Sequence, residues 1–177
     1  MKIKYMFLSA VLLGAVVLSS CDKNDDNNNN NQLNDTDRNF LVNASISNNA
    51  EIQLANLAVN KAVSPVVSAF AQQMITDHTT AQSDLKDLGN STNFTIADSV
   101  DAMHQALNDL LSTLEGSAFD SAYIHSQVGD HDRAITLFTT EQNSGINASV
   151  KGYANTYLPK IQMHRSMADS IATNMFP

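Results

Sequence analysis

Apolar side chains recur at three- to four-residue spacing through most of the chain, and this spacing constrains the fold more than any other feature. Residues three, four and seven apart share one face of an α-helix, so the pattern places an apolar stripe along each of several helices. No window shows the sustained apolar–polar alternation of a half-buried β-strand. The stripes are broad, as in a globular bundle rather than a two-stranded coiled coil. The sequence therefore predicts an all-α fold.

Proline, glycine and capping residues divide this pattern into five predicted helices. The predicted helices cover residues 37–62, 65–88, 96–116, 118–143 and 148–177. Pro65 suits the first turn of the second helix. Asn147 is the predicted cap of the fifth helix, which Pro159 is predicted to interrupt. Thr95 with Asp98, and Ser117 with Asp120, have the spacing of capping boxes. Four of the helices have about 25 residues, or roughly 37 Å of length, and the third is shorter. This order predicts a four-helix bundle with a short extra helix in the connection between the second and fourth helices.

Residues 1–20 have the layout of an export signal. Lys2 and Lys4 precede an apolar run over residues 6–18, which is too short to span a bilayer as a helix. The run ends in Leu-Ser-Ser-Cys, and Cys21 is the single cysteine of the chain. This ending resembles the lipobox of bacterial lipoproteins, whose cysteine becomes the lipidated first residue of the mature protein. The resemblance implies a membrane anchor at Cys21, and the alternative is an unpaired exported thiol.

Residues 21–36 are rich in asparagine and aspartate, and Leu33 is their only large apolar residue. Such a segment cannot bury enough apolar surface to fold, so we interpret it as a disordered tether. A single domain is predicted over residues 37–177, its first helix capped by Asp35 or Thr36. The acidic residues behind the cysteine resemble the surface-export signal of Bacteroidota lipoproteins, with a soluble spacer as the alternative. We therefore expect a cell-envelope protein at the outer membrane, on its periplasmic face or on the cell surface.

The composition excludes several classes of function. The chain has 18 acidic and 10 basic residues and a formal net charge of −8. Because no basic patch is present, nucleic acid is not an expected partner, and the membrane is contacted only through the lipid. The chain also has no glycine-rich phosphate loop and no nucleophile-elbow motif. We therefore expect a binding or structural protein rather than an enzyme.

Four polar residues interrupt the apolar stripes, each on a different predicted helix. They are Glu51, His78, His131 and His164. Burying such groups without partners costs several kcal/mol, so they are expected to meet in the interior. Neutral imidazole nitrogens with a carboxylate oxygen can hold zinc, iron or manganese. Copper is less expected, because the methionines near the histidines have the spacing of core residues. The sequence thus predicts a buried metal site, and the alternative is that these residues only fix helix packing.

Further polar residues are candidates for orienting the metal ligands from outside. They are Asp77, Asp120, Tyr123 and Asp130. Adjacent residues on a helix diverge by about 100°, so Asp77 would have to serve a ligand on another helix rather than His78. Asp120 has a competing interpretation as a helix-capping carboxylate.

Four motifs occur in a specific order along the chain. They are Glu51-x-x-Leu54-x-x-Leu57-Ala58, Phe70-Ala71-x-x-Met74-x-x-Asp77-His78, Phe119-Asp120-x-x-Tyr123 followed by His131, and Leu158-Pro159-x-x-x-x-His164. Together they resemble the exported bacterial family named domain of unknown function 4142. The resemblance covers nearly all of residues 37–177 and implies a ferritin-like bundle, without supplying a reaction.

The glutamate count excludes the best-known chemistry of ferritin-like bundles. A di-iron carboxylate centre in this fold needs four glutamates and two Glu-x-x-His motifs. The chain has Glu51, Glu115 and Glu141 as its only glutamates, and none is followed by histidine at that spacing. A conventional di-iron ferroxidase is therefore not expected.

Overall fold

The structure, a computed structural model, describes residues 32–177. The predicted signal peptide, Cys21 and most of the predicted tether lie outside these residues. The described part contains five α-helices and no β-strand: α1 (Asp35–Lys61), α2 (Pro65–Ser91), α3 (Ala102–Thr113), α4 (Gly116–Ser144) and α5 (Ala148–Met175). None of these five helices is both long and apolar enough to cross a membrane. The all-α prediction is confirmed.

The four long helices form two hairpins, α1–α2 and α4–α5, and α1 packs against α4. Lys61 at the end of α1 binds Glu115 at the start of α4, with 2.7 Å between Nζ and Oε1. At the other end, Asp37 accepts hydrogen bonds from the backbone N–H groups of Ile146 and Asn147, just after α4. α1 and α4 are therefore antiparallel, as are the two helices of each hairpin.

It follows that α2 and α4 run in the same direction, so their connection must return along the length of the bundle. This connection, residues 92–115, is called the crossover segment below; it contains α3 and lies against α1 and α4. A single long crossover of this kind is the ferritin-like variant of the four-helix bundle. The predicted ferritin-like bundle with a short connecting helix is thereby confirmed.

α3 begins later than the sequence predicted. Asp101 is its N-cap and accepts a hydrogen bond from the backbone N–H of His104 at 2.9 Å. The predicted capping box at Thr95 and Asp98 does not form, because the Asp98 carboxylate instead accepts hydrogen bonds from the side chains of Gln82 and Lys86. Contacts with α2 thus override a local capping signal in the crossover segment.

α1 begins earlier than predicted. Asn34 is the N-cap and forms a capping box with Asp37, so the predicted caps Asp35 and Thr36 lie inside the helix. Leu33 is buried and belongs to the apolar core. The last residues assigned to the tether are therefore part of the bundle.

The second predicted capping box, at Ser117 and Asp120, also does not form, and Glu115 is the N-cap of α4. Asp120 is buried and accepts hydrogen bonds from the backbone N–H groups of Val63 (3.2 Å) and Ser64 (2.8 Å). Both groups lie in the connection between α1 and α2. Asp120 therefore fixes this connection and caps neither α4 nor α2.

The structure also tests the predictions for the two helix prolines and for the N-cap of the fifth helix. α2 begins at Pro65, and Asn147 caps α5 through hydrogen bonds to two backbone N–H groups, both as predicted. The predicted interruption at Pro159 is wrong, because α5 continues through this residue.

Buried apolar side chains form two clusters, one toward each end of the bundle. The first includes Leu41, Leu85, Phe138 and Tyr153, and the second includes Leu54, Met74, Phe119 and Ile124. Between the two clusters lie the four polar residues on which the metal prediction rests. Glu51, His78, His131 and His164 are hereafter called the polar layer.

Candidate functional site

The three histidines of the polar layer meet in the interior of the bundle. The exposed fraction is 6% for His78, 1% for His131 and 2% for His164. The ring centroids are 5.8 Å apart for His78 and His131, and 5.5 Å apart for each of the other two pairs. One ligating nitrogen from each ring lies within 4.8 Å of those of the other two. Helical spacing alone therefore located a real histidine cluster.

Each ring has one nitrogen engaged with an oxygen acceptor. His78 Nδ1 lies 3.0 Å from the side-chain oxygen of Asn48. His131 Nδ1 lies 2.9 Å from the backbone carbonyl oxygen of Gln127, and His164 Nε2 lies 2.9 Å from the carboxylate of Asp77. A backbone carbonyl and a carboxylate only accept hydrogen bonds, so those two ring nitrogens carry the proton.

The other nitrogen of each ring has no hydrogen-bond partner within residues 32–177. These nitrogens are His78 Nε2, His131 Nε2 and His164 Nδ1, and all three are buried. Because the proton sits on the partnered nitrogen, the free one presents a lone pair. Three buried lone pairs without donors are costly in an apolar interior. The arrangement has the form of a set of metal ligands.

Burial keeps all three rings neutral near pH 7. Burial, and then the neighbouring charges of His131 and His164, hold the pKa of His78 well below its usual value. Burial, followed by the charge of His164, lowers the pKa of His131 to about 4. Burial also lowers the pKa of His164, although Asp77 opposes this change. Neutral imidazole is the form that binds metal ions.

Glu51 belongs to the polar layer but lies on the far side of His131. Its Oε1 is 3.7 Å from His131 Nδ1, the nitrogen already bonded to the Gln127 carbonyl. Among the described residues, the group that could hold a metal consists of the three histidines without Glu51. Burial raises the pKa of Glu51 to about 7, and the Gln127 side chain partly opposes this increase. The carboxyl group is therefore beside the cluster rather than in it.

The structure places the four predicted outer residues differently. Asp77 bonds His164 on α5, so it does orient a histidine of another helix. Asp130 pairs with Arg133 and lies 3.6 Å from His104 Nε2, on the side of α3. Burial, followed by the charge of Glu51, holds the pKa of Tyr123 well above its usual value. Asp120 binds the connection between α1 and α2, as described above, and contacts none of the three rings through a hydrogen bond in the described chain.

Sequence reasoning missed two residues that orient the rings, Asn48 and Gln127. Both are buried. Asn48 lies one turn before Glu51 on α1, and Gln127 one turn before His131 on α4, so each shares a helical face with a residue of the polar layer. The inward polar side chain was the available signal for Asn48, whereas Gln127 acts through its backbone carbonyl, which no side-chain pattern indicates.

A small cavity adjoins the histidines between α2 and α5. Its volume is about 10 Å³, room for about one water molecule. His78 and His164 line it, together with Asp77, Tyr157 and Lys160. Lys160 is exposed and lies over the Tyr157 ring at 5.4 Å from its centroid. The cavity extends from the rings toward the protein surface.

The fold and the site define a class: a ferritin-like helical bundle whose interior carries a cluster of three histidines in place of paired glutamates. The chain belongs to the family described as domain of unknown function (DUF4142), whose sequence profile matches residues 23–171. Among solved structures, the chain is similar to a DUF305 fragment from Deinococcus radiodurans. The identity is 10%, the TM-score is 0.72, and the match covers 81% of this chain and 99% of the other. This likeness shows the fold alone. No curated protein matches the chain.

Proposed function

We propose that this is a lipid-anchored cell-envelope protein that binds a divalent transition metal through His78, His131 and His164. The observation that carries the proposal is the set of three buried ring nitrogens, each without a hydrogen-bond partner in the described part of the chain. The opposite nitrogen of each ring is held by an oxygen atom. Metal-binding histidines have this pattern, since the second nitrogen donates to a carboxylate, a carbonyl or an amide oxygen.

The ligand set favours zinc or a metal of similar preference. Three imidazoles without a carboxylate suit zinc better than manganese, which prefers oxygen ligands. With bonds of about 2.0–2.1 Å, the nitrogens of a tetrahedral site lie roughly 3.3 Å apart. One ring nitrogen of each histidine already lies within 4.8 Å of those of the other two. Binding therefore needs each pair of nitrogens to approach by at most about 1.5 Å. A fourth position remains for water or an exogenous ligand.

A purely structural role accounts for these contacts less well. If the histidines only fixed helix packing, each ring would be expected to satisfy both nitrogens, because a buried polar atom without a partner is destabilising. In the described chain one nitrogen on every ring is left over, and all three rings lie in the same layer.

Metal content tests the proposal directly. The mature domain, purified without a histidine tag and reconstituted with zinc, is expected to hold about one ion per chain by elemental analysis, as a three-histidine site would. His131→Ala is expected to lose the ion. His125→Ala is the matched control, because His125 is an exposed histidine on the same helix. Less than a tenth of an ion per wild-type chain would contradict the proposal.

Substitution of Cys21, the cysteine of the lipobox-like motif, tests the proposed lipid anchor. α1 begins close behind the acidic segment, so a lipidated Cys21 would attach the bundle at the end where α1 starts. We expect Cys21→Ser to move the protein from the membrane fraction to the soluble fraction of the envelope, since the acyl chains that hold it there are lost. Ser20→Ala keeps a small residue before the cysteine and is expected to stay in the membrane fraction. Equal distribution of the two variants would exclude lipidation.

A further inference from the structure

The tautomer of His78 depends on a single amide. In residues 32–177 the hydrogen-bond partner of its Nδ1 is the side chain of Asn48, at 3.0 Å. An imidazole nitrogen can donate or accept, so the protonation state of Nδ1 follows from which end of the Asn48 amide it meets. If the oxygen faces the ring, Nδ1 carries the proton and Nε2 keeps its lone pair. If the amide nitrogen faced the ring, Nε2 would be protonated and could not bind a metal.

Two acceptors fix the orientation of Asn48. Its Nδ2 lies 3.3 Å from the Tyr153 hydroxyl and 3.3 Å from Gln82 Oε1. The Tyr153 hydroxyl donates its own proton to the backbone carbonyl of Ala81 at 3.1 Å, so toward Asn48 it acts as an acceptor. The amide nitrogen of Asn48 must therefore point at this pair, which leaves its oxygen for His78.

Gln82 is oriented in turn from the crossover segment. Its Nε2 donates to Asp98 Oδ1 at 3.0 Å and to Ser45 Oγ at 2.8 Å. Ser45 uses its own proton on the backbone carbonyl of Ala97. A hydrogen bond from Lys86, and then that from Gln82, keep the pKa of Asp98 below its usual value, so the carboxylate is ionised and only accepts. Gln82 must therefore turn its nitrogen to the crossover segment and its oxygen to Asn48.

We propose that Asp98, in the crossover segment, sets the tautomer of His78 through Gln82 and Asn48, and thereby keeps the Nε2 lone pair available in the histidine cluster. Each group in this relay has one orientation that satisfies its neighbours. Asp98 is thus a positioning residue that acts through three successive hydrogen bonds. Its role in metal binding rests on the proposed function; its role in fixing the tautomer does not.

The three rings then use three different orienting groups. His131 is fixed by a backbone carbonyl, and His164 by the carboxylate of Asp77, with its proton on Nε2 rather than Nδ1. Only His78 depends on side-chain amides, which can turn over. The relay from Asp98 and the Tyr153 hydroxyl together remove that freedom.

Nitrogen NMR of the metal-free mature protein with ¹⁵N-labelled histidine tests the relay. In the wild type, His78 is expected to show a protonated Nδ1 and a free Nε2, and His164 the reverse, which serves as an internal reference. Asp98→Asn replaces an obligate acceptor by a group that also donates, so Ser45 alone is left to fix the orientation of Gln82. We expect a second His78 tautomer and a zinc affinity lower by about threefold to tenfold. Asn48→Leu removes the direct partner, with an expected loss of about 10–100-fold.

Three further variants separate the relay from general damage. Lys86→Met removes the ion pair with Asp98 but leaves the carboxylate, so the His78 tautomer is expected to be unchanged. Asn48→Asp keeps an acceptor toward Nδ1 and is expected to restore the wild-type tautomer. Gln82→Met breaks the relay if Asn48→Leu does not fold.

A wild-type His78 protonated on Nε2, or an unchanged tautomer in both Asp98→Asn and Gln82→Met, would overturn the relay. Wild-type protein that shows the expected tautomers but takes up no zinc would instead refute the proposed function and leave the relay standing.

Discussion

Zinc is expected to raise the melting temperature of the metal-free mature protein by roughly 5–10 °C when free zinc exceeds the dissociation constant about a hundredfold. A ligand that binds only the folded state stabilises it by about 2.7 kcal/mol at that concentration. The unfolded chain cannot hold His78, His131 and His164 around one ion, because they lie on three helices far apart in sequence. Calorimetry or circular dichroism at several zinc concentrations measures the effect.

The variants of the cluster make this result specific. His164→Ala removes one of three ligands and is expected to abolish the zinc-dependent increase, whatever its own melting temperature. His125→Ala removes an exposed histidine of α4 and should keep the full increase. An equal increase in the two variants would show that zinc binds elsewhere.

The stability of the metal-free protein is expected to peak near pH 6.5 and to fall on both sides. The rings of the polar layer have lowered pKa values, that of His131 about 4. The unfolded state therefore binds more protons than the folded state below the ordinary histidine pKa of about 6.5, and stability is lost as the pH falls.

Two buried carboxyl groups act in the opposite direction. Burial raises the pKa of Glu51 to about 7. Burial, followed by the nearby carboxylate of Asp37, raises the pKa of Glu141 to about 8. Both groups hold protons in the folded state that the unfolded state has released, so stability falls as the pH rises toward 8. Below pH 6.5 the three rings change the stability more than the two carboxyl groups do. Above pH 6.5 only the carboxyl groups still change it. The maximum of stability is therefore expected near pH 6.5.

Glu141→Gln should flatten the alkaline side of this profile. The amide resembles the protonated carboxyl in shape and carries no ionisable proton. At roughly 1.4 kcal/mol per pKa unit, its removal from the titration is expected to recover about 2 kcal/mol of the stability lost between pH 6.5 and 8.5. Urea unfolding across this range measures the change. Glu115→Gln is the control, because Glu115 is exposed; a profile that Glu141→Gln leaves unaltered would contradict the prediction.

The sequence predicted the histidine cluster because helical spacing is a local property. Once α2, α4 and α5 are identified, the spacing of apolar residues places each histidine on the buried face of its helix. A bundle brings such faces together. Which nitrogen of His78 is free was not predictable, since that depends on the Asn48 amide of another helix, which meets the ring only in the folded chain. Asn48 was also hard to single out in the sequence, because α1 contains many asparagines.

The errors lie where distant contacts outweigh local signals. Asp98 and Asp120 both sit at capping-box spacing, yet each carboxylate is used by another part of the chain. Glu51 reaches the polar layer as expected, but its carboxyl group lies beside His131 rather than among the free nitrogens. A helical pattern gives the face of a residue, not the direction in which its side chain extends.

The polar layer separates the two apolar clusters of the bundle. In the metal-free chain, each cluster can therefore lose its packing with limited effect on the other, and amide hydrogens in the two ends would exchange with separate opening energies. An ion held by His78 of one hairpin and by His131 and His164 of the other would join the hairpins at mid-length. The two ends would then unfold together. Metal binding would therefore increase the cooperativity of unfolding without changing the fold.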